Sequence, residues 1–254
     1  METFRKQGTQ RAVDWEAAGL RWLAQAQDDG GARVAQVVST EGELVIERIR
    51  ETSPSRRVAG EFGAALAVTH AAGAPAFGAG PDGWNGPGLQ GPAGGQIELP
   101  LTSRDAWGQM WARDRVMPLV GRLKKLSSAE RAVFEKLAER LCAGEFDGSY
   151  GAGARPVRVH GDLWSGNVLW GEEQAVLIDP AAYGGHPEDD LAALALFGAP
   201  HLSEIIAGYQ QVTPLEAGWE DRVELHQLHL LLLHAVLFGG GYVGQSVTAA
   251  RRYV

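Results

Sequence analysis

The chain has 254 residues, enough for one large domain or two small ones with a proper core. A formal net charge of −8, with no basic stretch beyond the pairs Arg56-Arg57 and Arg251-Arg252, argues against a nucleic-acid binder. A single cysteine, Cys142, excludes an internal disulfide framework; with no secretory h-region near the start and no apolar run long enough for a bilayer, the expectation is a soluble cytoplasmic protein without a membrane partner.

Residues 3–6 read as a short strand and 13–26 as a helix with Ala17, Leu20, Leu23 and Ala24 on one face. Residues 34–38 and 44–49 are β-rich runs on either side of the turn Thr40-Glu41-Gly42. A crossover near 49–54 leads into a mostly helical remainder. Helices are expected over 57–70, 103–121, 127–143, 187–197, 203–210 and 219–238, with a Gly/Pro-rich loop over 73–95. Ser127 or Ser128 can cap its helix, and Cys142 falls in with the apolar positions Val133, Leu137 and Leu141 as core. The expected fold class is α+β and bilobal, with a small sheet lobe over 1–50, a larger helical lobe over 51–254 and a cleft between them.

Within the Gly/Pro loop, residues 78–83 spell GxGxxG. No strand precedes them, no helix follows, and Pro81 lacks the backbone donor a phosphate cradle would use, so they read as a surface loop. No GxxxxGK[ST] occurs, which excludes a P-loop NTPase.

The chemistry concentrates between His160 and Asp179. HGDLWSGN (160–167) is followed by two apolar runs, Val168-Leu169-Trp170 and Ala175-Val176-Leu177-Ile178, around the turn Gly171-Glu172-Glu173-Gln174. Such a hairpin brings Asp179 back beside Asn167. An aspartate, an asparagine five residues on and a second aspartate after the hairpin form the layout that phosphoryl transfer from ATP needs. Asp162 can accept the proton of an attacking hydroxyl, while Asn167 and Asp179 offer oxygen ligands to Mg2+.

With these residues assembled, the chain resembles the fructosamine kinase (ketosamine-3-kinase) family, relatives of the aminoglycoside phosphotransferases within the protein-kinase-like fold. The resemblance rests on HGDLWSGN, including Trp164, on IDPAAYGGHPEDDLAALALFG (178–198) and on HQLHLLLLHAVLFGGGY (226–242). It extends upstream through 62–70, through Phe4-Arg5-Lys6 and through Glu16-Ala17-Ala18-Gly19-Leu20, and is weakest over 74–125. It implies that Lys6 neutralises the α- and β-phosphates and is held by Glu16, and that the backbone of Glu47, Arg48 and Ile49 binds adenine at the hinge. It also implies that the substrate is a glycated amine or glycated protein, phosphorylated at C3 to a labile ester whose breakdown frees the amine.

Around this set, Trp164 either shapes the sugar site or anchors the core, His160 organises the loop by hydrogen bonding, and Asp190 ties the loop to the next helix. Glu188 and Asp189 read as surface charges at that helix's N-terminus. His226, His229 and His234 share a helical spacing but have no carboxylate partner in their own apolar run, so they read as packed histidines. The family pattern places two strands and a glycine-bearing loop before the strand lysine. With Lys6 so close to Met1, the small lobe is expected to lack that cover, leaving 3–6 an exposed edge and weakening ATP binding. The rival readings are a kinase of the same fold acting on an aminoglycoside or choline, and a catalytically weak nucleotide-binding protein.

Overall fold

In the computed structural model, which describes residues 2–254, β1 (Thr3–Lys6) leads into α1 (Gln10–Ala24). Thr9 accepts a hydrogen bond from the Ala12 amide and so starts this helix three residues before its apolar stripe begins. The β-rich run expected over 34–38 is two strands rather than one. β2 (Arg33–Val34) and β3 (Val37–Ser39) diverge at Ala35, whose amide donates to the Leu177 carbonyl while the Gln36 carbonyl accepts from Glu47. β4 (Leu44–Glu47) pairs with both β1 and β3, giving a three-stranded sheet of order β1-β4-β3 in which Lys6 lies opposite Leu44.

After α2 (Arg56–Ala71), the stretch expected as a loop over 73–95 holds a strand, β5 (Gly88–Gln90), which pairs with β6 (Ile97–Leu99) just beyond it. The strands are three residues long and the turn between them is glycine-rich, so the period-2 signal is too short to stand out from the loop composition. The GxGxxG stretch is a loop, as read, exposed at Asp82 and Gly83 but anchored at its start, where the Gly78 amide donates to the Gly184 carbonyl and Ala79 accepts from Gly184.

A helical rod follows as α3 (Trp107–Met110), a π-wound segment (Trp111–Val116) and α4 (Met117–Arg122). Pro118 cannot donate to the carbonyl four residues back, which gives a local reason for the wider winding. α5 (Ser128–Cys142) begins with a full capping box in which Ser127 and Glu130 satisfy each other's amides. Next come β7 (Val157–Val159), β8 (Val168–Trp170), β9 (Ala175–Leu177) and β10 (Tyr183–Gly185). α6 (Pro187–Leu196), α7 (Leu202–Val212), α8 (Trp219–Phe238) and α9 (Gly241–Arg251) complete the chain. The last of these was not expected, since Gly241 and Gly244 weaken its helical signal.

β2 runs parallel to β9, so the sheet β2-β9-β8 ties the first 50 residues to the catalytic segment, and one apolar core runs from Val13 to Tyr253. Cys142 packs against that core. α2 and α7 cross at glycines. A Cβ at Gly63 would sit 1.9 Å from the Ile205 carbonyl oxygen, and one at Gly208 would sit 1.9 Å from that of Gly60. Only hydrogen fits at either point, which lets the two backbones touch. Among the described residues, no helix is long and apolar enough to cross a membrane.

Candidate active site

β7 delivers the chain to His160, and the loop that follows is held from behind by one carboxylate. Asp190, 1% exposed, accepts from the His160 amide (2.7 Å) and the Gly161 amide (2.9 Å), and its Oδ2 lies 3.1 Å from Nε2 of His70. Burial alone would raise its pKa, but the His70 contact and the loop amides win and hold it below the usual carboxylate range. Gly161 takes φ +80°, and a Cβ there would lie 2.2 Å from the Ala181 carbonyl, so the turn requires glycine. His160 is buried and its pKa is lowered by that burial. The neutral ring donates from Nε2 to the Ile178 carbonyl (2.8 Å) and accepts the Asp162 amide at Nδ1 (3.3 Å), so it acts as a brace for the loop.

The β8–β9 hairpin pairs Val168 with Leu177, and the Ile178 amide donates to the Asn167 carbonyl, which sets Asp179 beside Asn167. Asn167 donates to the backbone carbonyl of Asp162 at 2.8 Å, turning its side-chain oxygen away from that contact. Asp179 holds the left-handed backbone conformation at φ 53°, which an L-residue adopts only when its surroundings impose it. Lys6 bridges the lobes: its Nζ is 2.7 Å from Glu16 Oε2 and 2.9 Å from Asp179 Oδ1. Burial works against the charge on Asp179, yet Lys6 prevails and keeps its pKa low. Glu16 goes the other way, pushed up to about 7 by burial and by Asp179 against the pull of Lys6, and its Oε1 is buried without a partner. Asp162 is also raised to about 7, first by burial and then by the charges of Asp179 and Asp190, which outweigh the donors Gln90 and Asn167.

These groups face one cleft of about 460 Å³ whose lining includes Lys6, Glu16, Asp162, Asn167 and Asp179 together with Trp164, His234 and Phe238. Asn167 and Asp179 converge there as hard oxygen donors, and Lys6 adds the one cationic side chain of the lining, so the donor set fits a divalent cation with a polyphosphate. Trp164 is 39% exposed and stands edge-on to Phe197 at 6.0 Å, so it is a cleft wall and not a core anchor. The proposed hinge residues lie apart from this lining. Glu47 turns its carboxylate to Arg33 (2.7 Å), Arg48 is exposed with its amide on the Glu2 carbonyl, and Ile49 packs on the core.

Reasoning from sequence missed Gln90. It ends β5 with its side chain 3.1 Å from Asp162 Oδ1. The strand is fixed from α1, where Trp15 Nε1 donates to the Leu89 carbonyl at 2.8 Å and the Trp15 ring leaves no room for a Cβ at Gly88. The one signal available was Leu89 and Ile97 flanking a glycine-rich turn, a faint hairpin pattern.

Glu188 and Asp189, expected on the surface, are buried at 3% and 6% exposure. Glu188 forms a two-pronged pair with Arg222 (3.0 and 2.5 Å), and Asp189 accepts from Nδ1 of His226 at 2.7 Å and from Trp107 and Tyr183. The carboxylate partners absent from the apolar run of His226 therefore come from α6. His186, Glu188 and His226 bring ligand-type atoms within 4.8 Å of one another. However, both oxygens of Glu188 serve Arg222 and Nδ1 of His186 accepts the Glu188 amide, so the cluster is an ion network. Burial disfavours the His226 imidazolium, but Asp189 and Glu188 outweigh it and raise its pKa above the ordinary 6.5. A raised folded-state pKa stabilises fully below about pH 6.5 and loses that contribution as pH rises through the folded value. The melting temperature is therefore expected to decline on the alkaline side, and His226→Gln to flatten that decline. Thermal unfolding from pH 6 to 9 checks it, and an unchanged profile in the variant would contradict the assignment.

A small sheet lobe, a helical lobe and a loop–hairpin segment facing the cleft between them define a protein-kinase-like fold. The chain belongs to the fructosamine kinase family, whose sequence profile matches residues 4–254. It is 33% identical to mouse ketosamine-3-kinase over 145 residues, an alignment that covers 57% of this chain and 46% of the mouse protein. Among solved structures, a fructosamine-3-kinase candidate from Thermobifida fusca superposes with a TM-score of 0.84 at 37% identity, covering 99% of this chain and 85% of the other. An ADP-bound aminoglycoside phosphotransferase shares the fold alone, with a TM-score of 0.57 at 13% identity over 95% of this chain and 84% of the other.

Proposed function

We propose that the protein is an ATP- and Mg2+-dependent kinase that phosphorylates the C3 hydroxyl of ketosamines such as fructosamines and ribulosamines, acting in deglycation of amines or proteins. Residues 1–50 serve as the nucleotide lobe and 51–254 as the catalytic and substrate lobe. The observation that carries the reading is the meeting of Asp162, Asn167, Asp179 and Lys6 in one cleft whose lining also holds Trp164 and Phe238.

Lys6 would pair with the α- and β-phosphates. Asn167 and Asp179 would hold Mg2+, which supplies charge neutralisation across the β- and γ-phosphates. Asp162 accepts the proton of the C3 hydroxyl as its oxygen forms a bond to the γ-phosphorus and the bond to the ADP oxygen breaks. Trp164 offers its face to the sugar ring.

Lining charge separates this reading from an aminoglycoside kinase. The acidic residues among those lining the cleft are Glu16, Asp162 and Asp179, all within the phosphoryl-transfer set. A polycationic acceptor would need further carboxylates, and the rest of the lining supplies none, with Trp164, Leu233, Leu237 and Phe238 among it. ADP release from Mg·ATP with a fructose- or ribose-derived ketosamine, run beside an aminoglycoside and choline, tests it. Turnover on the ketosamine alone is the expected result, and preference for either competitor would overturn the substrate assignment.

A further inference from the structure

The contacts of Gln90 join the base to the middle of α8. Its side chain is 4% exposed, and Nε2 donates to Asp162 Oδ1 at 3.1 Å and to the Gly161 carbonyl at 3.3 Å. Oε1 lies 2.7 Å from Nε2 of His229, itself 4% exposed, whose Nδ1 is 3.3 Å from the Arg115 carbonyl.

Two proton arrangements are open to this chain of contacts, and geometry decides between them. His229 is neutral, since burial and the nearby Arg115 push its pKa down to about 3, so the ring has one N–H to give. With that proton on Nε2, it donates to Gln90 Oε1, and the only mismatch is the long 3.3 Å approach of Nδ1 to the Arg115 carbonyl. With the proton on Nδ1, the Gln90 amide must turn over. Its oxygen would then face both Asp162 Oδ1 at 3.1 Å and the Gly161 carbonyl at 3.3 Å, placing acceptors together twice. The first arrangement leaves every strong contact paired.

We infer that Gln90 is a positioning residue for phosphoryl transfer: oriented by His229, its amide fixes the plane of the Asp162 carboxylate so that a free oxygen lone pair faces the incoming hydroxyl. The inference rests on the reading of Asp162 as the base. The terminal torsion of an aspartate is soft, so a hydrogen bond from a rigid donor is what sets it. Asn167 is 3.4 Å from Asp162 Oδ2 and spends its short bond on the backbone, which leaves Gln90 as the close side-chain donor to the carboxylate. The donor is itself immobilised, because β5 is pinned to α1 through Trp15. A base held in one orientation keeps reacting atoms near their attack geometry.

Gln90→Met keeps the volume and removes the amide, and His229→Phe removes the N–H that orients it. Loss of a hydrogen bond to a charged group is expected to lower kcat for the ketosamine on the order of 10–100-fold in Gln90→Met. The dissociation constant for Mg·ATP should stay near that of the parent, while the melting temperature should fall by a few degrees because the buried His229 N–H loses its acceptor. His229→Phe should act in the same direction, and the double variant should be no slower than Gln90→Met, as for two members of one relay. A parental kcat in Gln90→Met, additive losses in the double variant, or an equal loss of kcat and nucleotide affinity would each overturn the inference. Asp162→Asn run alongside separates the two claims: if it remains active the base assignment fails, whereas if it is inactive and Gln90→Met is fully active only the relay fails. If the parent turns over no ketosamine, slow Mg·ATP hydrolysis, with water in place of the hydroxyl, is the readout; a parent without either activity overturns both.

Discussion

Asp162→Asn is expected to lower kcat for the ketosamine by about 10²–10⁴-fold while leaving Mg·ATP binding in place. Asparagine matches the size of the carboxylate and can still accept from Gln90, so the loop contacts at 3.1 Å have a counterpart in the variant. What it cannot do is take the hydroxyl proton. Lys6, Asn167 and Asp179 are untouched, so the nucleotide end of the cleft keeps its cation and its hard oxygens. Steady-state ADP release together with calorimetric titration of Mg·ATP checks both halves. A kcat near the parental value would remove Asp162 from the reaction, and a joint loss of turnover and nucleotide binding would mean that the substitution disturbed the loop.

The second large effect is one of stability. Asp190→Ala takes away the acceptor for two loop amides and the partner of His70, all buried behind the catalytic loop. Breaking a buried charged network by removing one partner costs about 3–5 kcal/mol, which in a chain of this size is a fall of roughly 10 °C in melting temperature. Because the folded-state pKa of Asp190 is depressed, its contribution is present above the unfolded value near 4 and is lost as pH falls through the folded value. At pH 7 the whole effect is visible, and the gap between parent and variant should narrow in acid. Glu61→Ala, which breaks only the exposed pair with Arg57, serves as the comparison and should change stability by less than about 0.5 kcal/mol. Equal melting temperatures for Asp190→Ala and the parent would show that the loop is held by other means.

The two effects differ in how visible they are along the chain. The convergence at the cleft could be read directly: HGDLWSGN, the hairpin and Asp179 are close in sequence, and local turn chemistry is enough to bring Asn167 and Asp179 together. Long helices such as α8 were also legible, since an uninterrupted 20-residue segment needs no partner to be recognised. α6 shows where that reading fails. Apart from Asp190, its acidic start looks like an exposed N-terminus, and only packing shows that Glu188 and Asp189 both point inward to α8, at Arg222 and His226.

What this sequence determined by itself is therefore the chemistry held within one short stretch, the helical pattern around it and the kinase-like character that follows from both. Tertiary structure alone decided further partners of buried charge: Asp179 on Lys6, Asp189 and Glu188 on His226, and Gln90 on Asp162 across a separation of 72 residues. The physical reason is that a periodic pattern reports which side of an element is buried, while the identity of what it is buried against depends on long-range contacts that leave no local signature. β5 is the sharpest case. Three residues beside a glycine-rich turn have almost no strand signal, yet Trp15 on α1 fixes them against the loop after β7 and so places a donor on Asp162.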